Sequence, residues 1–232
     1  MNTNHKEIED LLKNDARYDI RQTFGFPFQD FGIFPLGMVF TSLLEKDGQI
    51  PGLEYYYHHF INHPDKEIKG GGVEITDEMI KGRVARAWAS FIREWHAYYI
   101  LLETGRESYL SSDEIIRTQE LDTKQGIDVY LKNVVNRDKS IKLNIFQDTK
   151  NSKKFREIKD TRRVKGQNIP GKTYDIPLGK DNPDTTKSIN NWFLLSEDYA
   201  RRITTYFANN YNKAEEHPLQ SSIIENFSGV KL

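Results

Sequence analysis

Gly126-Ile127-Asp128-Val129-Tyr130-Leu131, followed after a turn by Ile141-Lys142-Leu143-Asn144-Ile145-Phe146-Gln147-Asp148-Thr149-Lys150, is the stretch on which the fold turns. Both segments read as strands. In the second, Leu143 and Ile145 share one face while Asn144, Phe146 and Asp148 share the other, the period of two that a half-buried strand requires. Asn136-Arg137-Asp138-Lys139 between them reads as a hairpin turn. An acid on the first strand, Asp128, and an acid and a lysine two residues apart on the second, Asp148 and Lys150, then point to one face.

Upstream lies the strongest helix pattern. Thr76 is placed to cap it, Asp77 and Glu78 fill the first turn, and Ile80, Val84, Trp88, Phe91, Trp95, Tyr98 and Leu102 form one apolar stripe. The spacing predicts a helix to about Glu103, with Arg83, Arg86, Arg93 and Glu94 off its centre. Residues 5–14 and 53–63 read as short helices. Residues 15–52 read as an irregular packed segment, and Gly70-Gly71-Gly72 as a turn, since it lacks the Lys-Ser/Thr ending of a phosphate loop. Downstream, 151–166 reads as a basic helix and 167–189 as a long loop. Asn191 to Leu195 reads as a strand, followed by a helix from Ser196 to about Tyr211. The expected organisation is a helical and irregular part over 1–75 and a core over 76–232.

The chain has 232 residues, 37% hydrophobic and 29% charged, with 13 Phe, 12 Tyr and 3 Trp to fill a core. Without cysteine it has no disulfide, thiolate metal site or Cys nucleophile. No window approaches the roughly 18 apolar residues of a membrane span, so a soluble, cytoplasmic protein is expected. The formal net charge of −1 hides an uneven distribution. Residues 1–131 hold 14 basic and 22 acidic side chains, 132–166 hold 12 and 4, and 167–232 hold 7 and 8. The middle stretch suits a polyanion.

Hydrolysing a phosphodiester at neutral pH needs a cation on the phosphate, an activated water and a stabilised leaving oxygen. Hard cations prefer carboxylate oxygens, and a nearby lysine lowers the pKa of the attacking water or stabilises developing charge. Asp128, Asp148 and Lys150 offer these groups. Lys153, Lys154, Arg156, Lys159, Arg162 and Arg163 follow directly as candidate phosphate contacts, with Arg162 and Arg163 also able to read guanine. Gln167, Asn168 and Lys172 are further candidates for base contact. His58, His59 and His63 allow zinc geometrically but have no second ligand group, so a structural role is expected of them, and His96 flanks the apolar stripe.

The segment from Glu120 to Gln125-Gly126-Ile127-Asp128 resembles the Gln-Gly-Val-Asp segment of the restriction endonuclease family typified by TaqI, within the PD-(D/E)xK nuclease group. The aromatic helix Met79 to Ile100 and the segment Asn191 to Tyr199 resemble that family's blocks in the same order. The resemblance implies an α/β (α+β) fold with a central mixed β-sheet flanked by helices. It also implies magnesium, with manganese able to substitute, and sequence-specific cleavage of duplex DNA by a homodimer. A DNA methyltransferase would be the genetic partner. By position Asp128 matches the metal-binding acid, and Asp122 and Glu120 match further acidic positions. The family's Gln-x-Lys triplet aligns either as Gln147-Asp148-Thr149, without a lysine, or as Asp148-Thr149-Lys150, which chemistry favours. A non-catalytic nucleic-acid-binding protein and a repair or mobile-element nuclease are the alternatives.

Overall fold

The computed structural model describes residues 4–23, 31–69, 74–117, 127–149 and 169–211. The chain divides into two compact units, residues 1–95 with 188–192 and residues 96–187 with 193–232.

The first unit holds helices α1 (His5–Asn14), α2 (Leu36–Asp47) and α3 (Leu53–Ile61), the antiparallel pair β1 (Gly32–Phe34) and β2 (Glu67–Lys69), and the first part of α4 (Asp77–Glu107). Asn4 and Glu7 form a reciprocal capping box on α1, which satisfies two otherwise orphaned backbone donors. Helix α2 falls in a segment that reads as irregular from sequence. Its Phe-, Gly- and Pro-rich surroundings mask a helical face of Leu36, Val39, Phe40, Leu43 and Leu44, all buried. The core of this unit is aromatic, and each polar handle has a partner. Trp88 and Trp192 meet edge to face at 5.5 Å. Trp88 Nε1 donates to the Pro51 carbonyl at 2.8 Å and Trp192 Nε1 to the Tyr18 carbonyl at 2.9 Å. Tyr56 Oη donates to the Leu36 carbonyl at 3.0 Å.

Helix α4 runs four residues past the predicted end, and burial is not confined to the expected stripe. Ile92, His96, Ala97, Ile100 and Leu101 are fully enclosed, and Arg93 and Glu94 are buried as well. Arg93 lies over the Trp192 ring at 5.2 Å, and its Nη1 donates to the Ala89 carbonyl, so its charge is met by a π face and a backbone dipole. Burial pulls its pKa down to about 10.

The second unit is built on a four-stranded mixed sheet in the order β3 (Ile115–Ile116), β4 (Val129–Leu131), β5 (Ile141–Gln147), β6 (Lys172–Leu178). The first three strands are mutually antiparallel, and β6 is parallel to β5. The fold class is therefore mixed α/β with a mixed sheet, as expected. Asn136 caps a short 3-10 turn, Arg137–Lys139, between β4 and β5. One face of the sheet presents Val129, Leu131, Ile141, Leu143, Ile145, Tyr174, Ile176 and Leu178 to a core completed by helix α5 (Glu197–Asn210), through Tyr199, Ala200, Ile203 and Phe207. Ser196 caps α5 as predicted, accepting from the Tyr199 amide.

Strands β6 and β7 (Thr186–Ile189) occupy a stretch that reads as loop. The alternation of Tyr174, Ile176 and Leu178 with Thr173, Asp175 and Pro177 is present in the sequence, but Pro177 argues against a strand. The proline is tolerated because β6 ends the strand order, where one side of the backbone needs no ladder partner. Strand β7 turns into β8 (Trp192–Leu195) through Asn190 and Asn191, with φ of 45° and 67°. Positive φ at both central residues is the two-residue hairpin geometry that asparagine tolerates. No helix among the described residues is long and apolar enough to cross a membrane.

Candidate active site

Asp128 immediately precedes β4. Its amide donates to the Leu143 carbonyl at 3.0 Å, and its Oδ2 accepts from the Ile145 amide at 2.5 Å. A side chain thus closes the β4–β5 ladder, and two bonds to one strand fix the carboxylate's position. The register Val129↔Leu143 sets Asp128 opposite Asn144, and Asn144↔Asp175 carries the same row on to β6. Because paired residues share a face, Asp128, Asn144 and Asp175 form a polar row on the face that the apolar core does not use. Asn144 Nδ2 donates to Asp175 Oδ1 at 2.9 Å. On this same face Lys142 Nζ donates to the Ile169 carbonyl at 2.9 Å.

Asp148 follows β5. Its amide donates to the Leu178 carbonyl at 2.7 Å, and its Oδ2 accepts from Asn182 Nδ2 at 3.1 Å. Its Cβ lies over Gly179, 3.5 Å from where a Cβ there would be. The structure does not bring Asp148 to Asp128. From Asn144 to Asp148 the strand advances four residues, about 13 Å, whereas two oxygens on one magnesium ion lie within about 4 Å of each other. Phe146 and its register partner Pro177 stand between. The expected sharing of one cation by Asp128 and Asp148 is therefore corrected: the residue across from Asp128 is Asn144. Gln147 alternates with Phe146 onto the side of Ile145 and Leu143, away from Asp128.

Lys150, Asp122 and Glu120 lie outside the described residues. So do Lys153, Lys154, Arg156, Lys159, Arg162 and Arg163, together with Gln167 and Asn168. Lys172 opens β6, its ammonium 5.4 Å from the centre of the Tyr174 ring. The histidines of α3 and beyond have local partners: His59 stacks edge-on against Tyr55 at 4.5 Å, and His63 Nδ1 accepts from the Asp65 amide at 3.2 Å. Among the described residues no three His, Cys, Asp or Glu side chains converge as a metal group. The Asp128 row contains two acids and an amide. Asn144 and Asp175 escape a reading of the sequence that looks for an acid-x-Lys triplet. The signal that finds them is the strand alternation combined with the register.

No protein-family model, no curated protein and no solved structure matches the chain.

Proposed function

We propose that the chain is a magnesium-dependent endonuclease of the restriction type, with a PD-(D/E)xK-like core acting on duplex DNA as a homodimer. The observation that carries this reading is the Asp128 carboxylate, fixed by the Ile145 amide on the non-core face of a mixed sheet. A second oxygen donor, Asn144, sits directly across from it. A buried amide oxygen without a hydrogen-bond partner beside a positioned carboxylate suits a hard cation. When bound, magnesium, or manganese in its place, neutralises the phosphate and lowers the pKa of a coordinated water. Asp128 holds that charge at the sheet. Lys150, the neighbouring Lys153, Lys154 and Lys159, and Arg156, Arg162 and Arg163 grip phosphate oxygens along the strand. Water oxygen bonds to phosphorus, the ester P–O bond breaks in line, and the leaving oxygen takes a proton. A methyltransferase protecting the host's own sites is the expected genetic partner.

The 13 Å of strand between the rows of Asp128 and Asp148 favours a second reading, a protein that binds nucleic acid without cutting it. Cleavage of plasmid DNA with Mg²⁺ separates the two. Asp128→Ala is expected to slow cleavage roughly thousandfold, the size of a lost cation contribution of several kcal/mol, while DNA binding persists. A wild-type chain that retards DNA but cuts none with Mg²⁺ or Mn²⁺ establishes the binding reading. Cleavage confined to damaged or branched DNA, rather than at one short palindrome, indicates a repair or mobile-element nuclease.

A further inference from the structure

We infer that Asn144 is a cation ligand through its amide oxygen, taking the place of a second carboxylate opposite Asp128, and that Asp175 is the positioning residue that orients this amide. The inference rests on the role given to Asp128 above.

Asn144 is 4% exposed. Its two arms have different fates. Nδ2 donates to Asp175 Oδ1 at 2.9 Å, while Oδ1 is buried and accepts no hydrogen bond. A buried acceptor left unmet costs free energy, so such atoms mark places where an ion or ligand belongs. A carboxylate only accepts, so Asp175 demands the NH₂ arm and fixes which way the amide faces. The arms of an amide diverge from one carbon. Committing Nδ2 to β6 turns Oδ1 away from that strand, to the side on which β4 presents Asp128. An outer carboxylate that orients an inner ligand and raises its basicity is a recurring feature of metal sites.

The charge on the site fits magnesium chemistry. One carboxylate and one neutral oxygen hold the free ion weakly, and the phosphate of the substrate completes the shell. The site is thus built to bind its cation together with an anionic ligand. Asp148, beyond the Phe146–Pro177 pair, does not take part.

Mn²⁺ alone is the probe, titrated into the full chain and followed by loss of the free-ion electron paramagnetic resonance signal, with thermal melting as the control for folding. Asn144→Leu replaces a buried amide by an apolar side chain of similar size and is expected to abolish binding. Asn144→Asp is expected to tighten it at least tenfold. Asp175→Asn is expected to weaken binding severalfold in the natural background and to have little effect once residue 144 is Asp, because a carboxylate has no wrong face. Asp175→Glu should restore most of the affinity. Equal weakening by Asp175→Asn in both backgrounds overturns the positioning role, and unchanged Mn²⁺ binding in Asn144→Leu overturns the ligand role. Absence of Mn²⁺ binding in the wild-type chain overturns both. Mn²⁺ binding with this pattern but no DNA cleavage sinks the nuclease reading and leaves the cation site standing. Cleavage whose Mg²⁺ dependence is untouched by Asn144→Leu does the reverse.

Discussion

Gly171 sits where the chain returns to the sheet to begin β6. Its φ is 108°, and a Cβ there would come 2.2 Å from the Ser140 carbonyl oxygen. That same carbonyl accepts from the Lys172 amide at 2.9 Å, the bond that starts the parallel pairing of β5 with β6. Glycine is therefore required twice, for backbone conformation and for close approach. Gly171→Ala should cost more than about 2 kcal/mol, combining a left-handed penalty with a backbone clash. Urea unfolding of the two proteins measures this, and a midpoint within error of wild type contradicts it. The consequence reaches function, because the register that begins at Lys172 places Asp175 beside Asn144. At this scale Asp128 was legible in the sequence, since an acid preceding an apolar strand is a local pattern. Asn144 and Asp175 were not, because their importance depends on a pairing between segments about 30 residues apart.

Among the elements, α5 shows how packing rather than periodicity sets chemical behaviour. The helix was legible from its Ser196 cap and its apolar positions, and α4 from its stripe. Helix α2 and strand β6 were not, because proline at or near an element suggests a break unless the local partners are known. In α5, burial pushes the Tyr199 hydroxyl up to about 12, and burial likewise pushes Tyr206 up to about 12. An acid whose folded pKa exceeds its unfolded value stabilises the fold fully below the unfolded value, near 10, and loses that contribution as pH rises towards 12. Arg93, pulled down to about 10, acts in the opposite sense over the same range, but it stands against two tyrosines. The chain is therefore expected to lose stability between pH 10 and 12. Tyr199→Phe should move the alkaline unfolding midpoint, followed by circular dichroism, to higher pH. A midpoint that stays in place or falls rules out Tyr199 as a contributor.

For the whole molecule, the charge asymmetry and the mixed sheet point the same way. A basic stretch, residues 132–166, spans β5 and follows the strand that Asp128 locks to, so the side chains suited to phosphate are carried by the unit that carries the acidic row. The fold class could be read in advance because two strands, a turn and a long helix are local signals. The composition of the site could not, because acids 20 residues apart look paired until the register separates them. The account rests on a cation held at the Asp128 row. Anomalous diffraction from crystals of the full chain grown with Mn²⁺ and a short DNA duplex tests this most directly. The expected result is one anomalous peak within about 2.2 Å of both an Asp128 carboxylate oxygen and Asn144 Oδ1. A peak coordinated by Asp148 with Asp128 and Asn144 both uninvolved would contradict it.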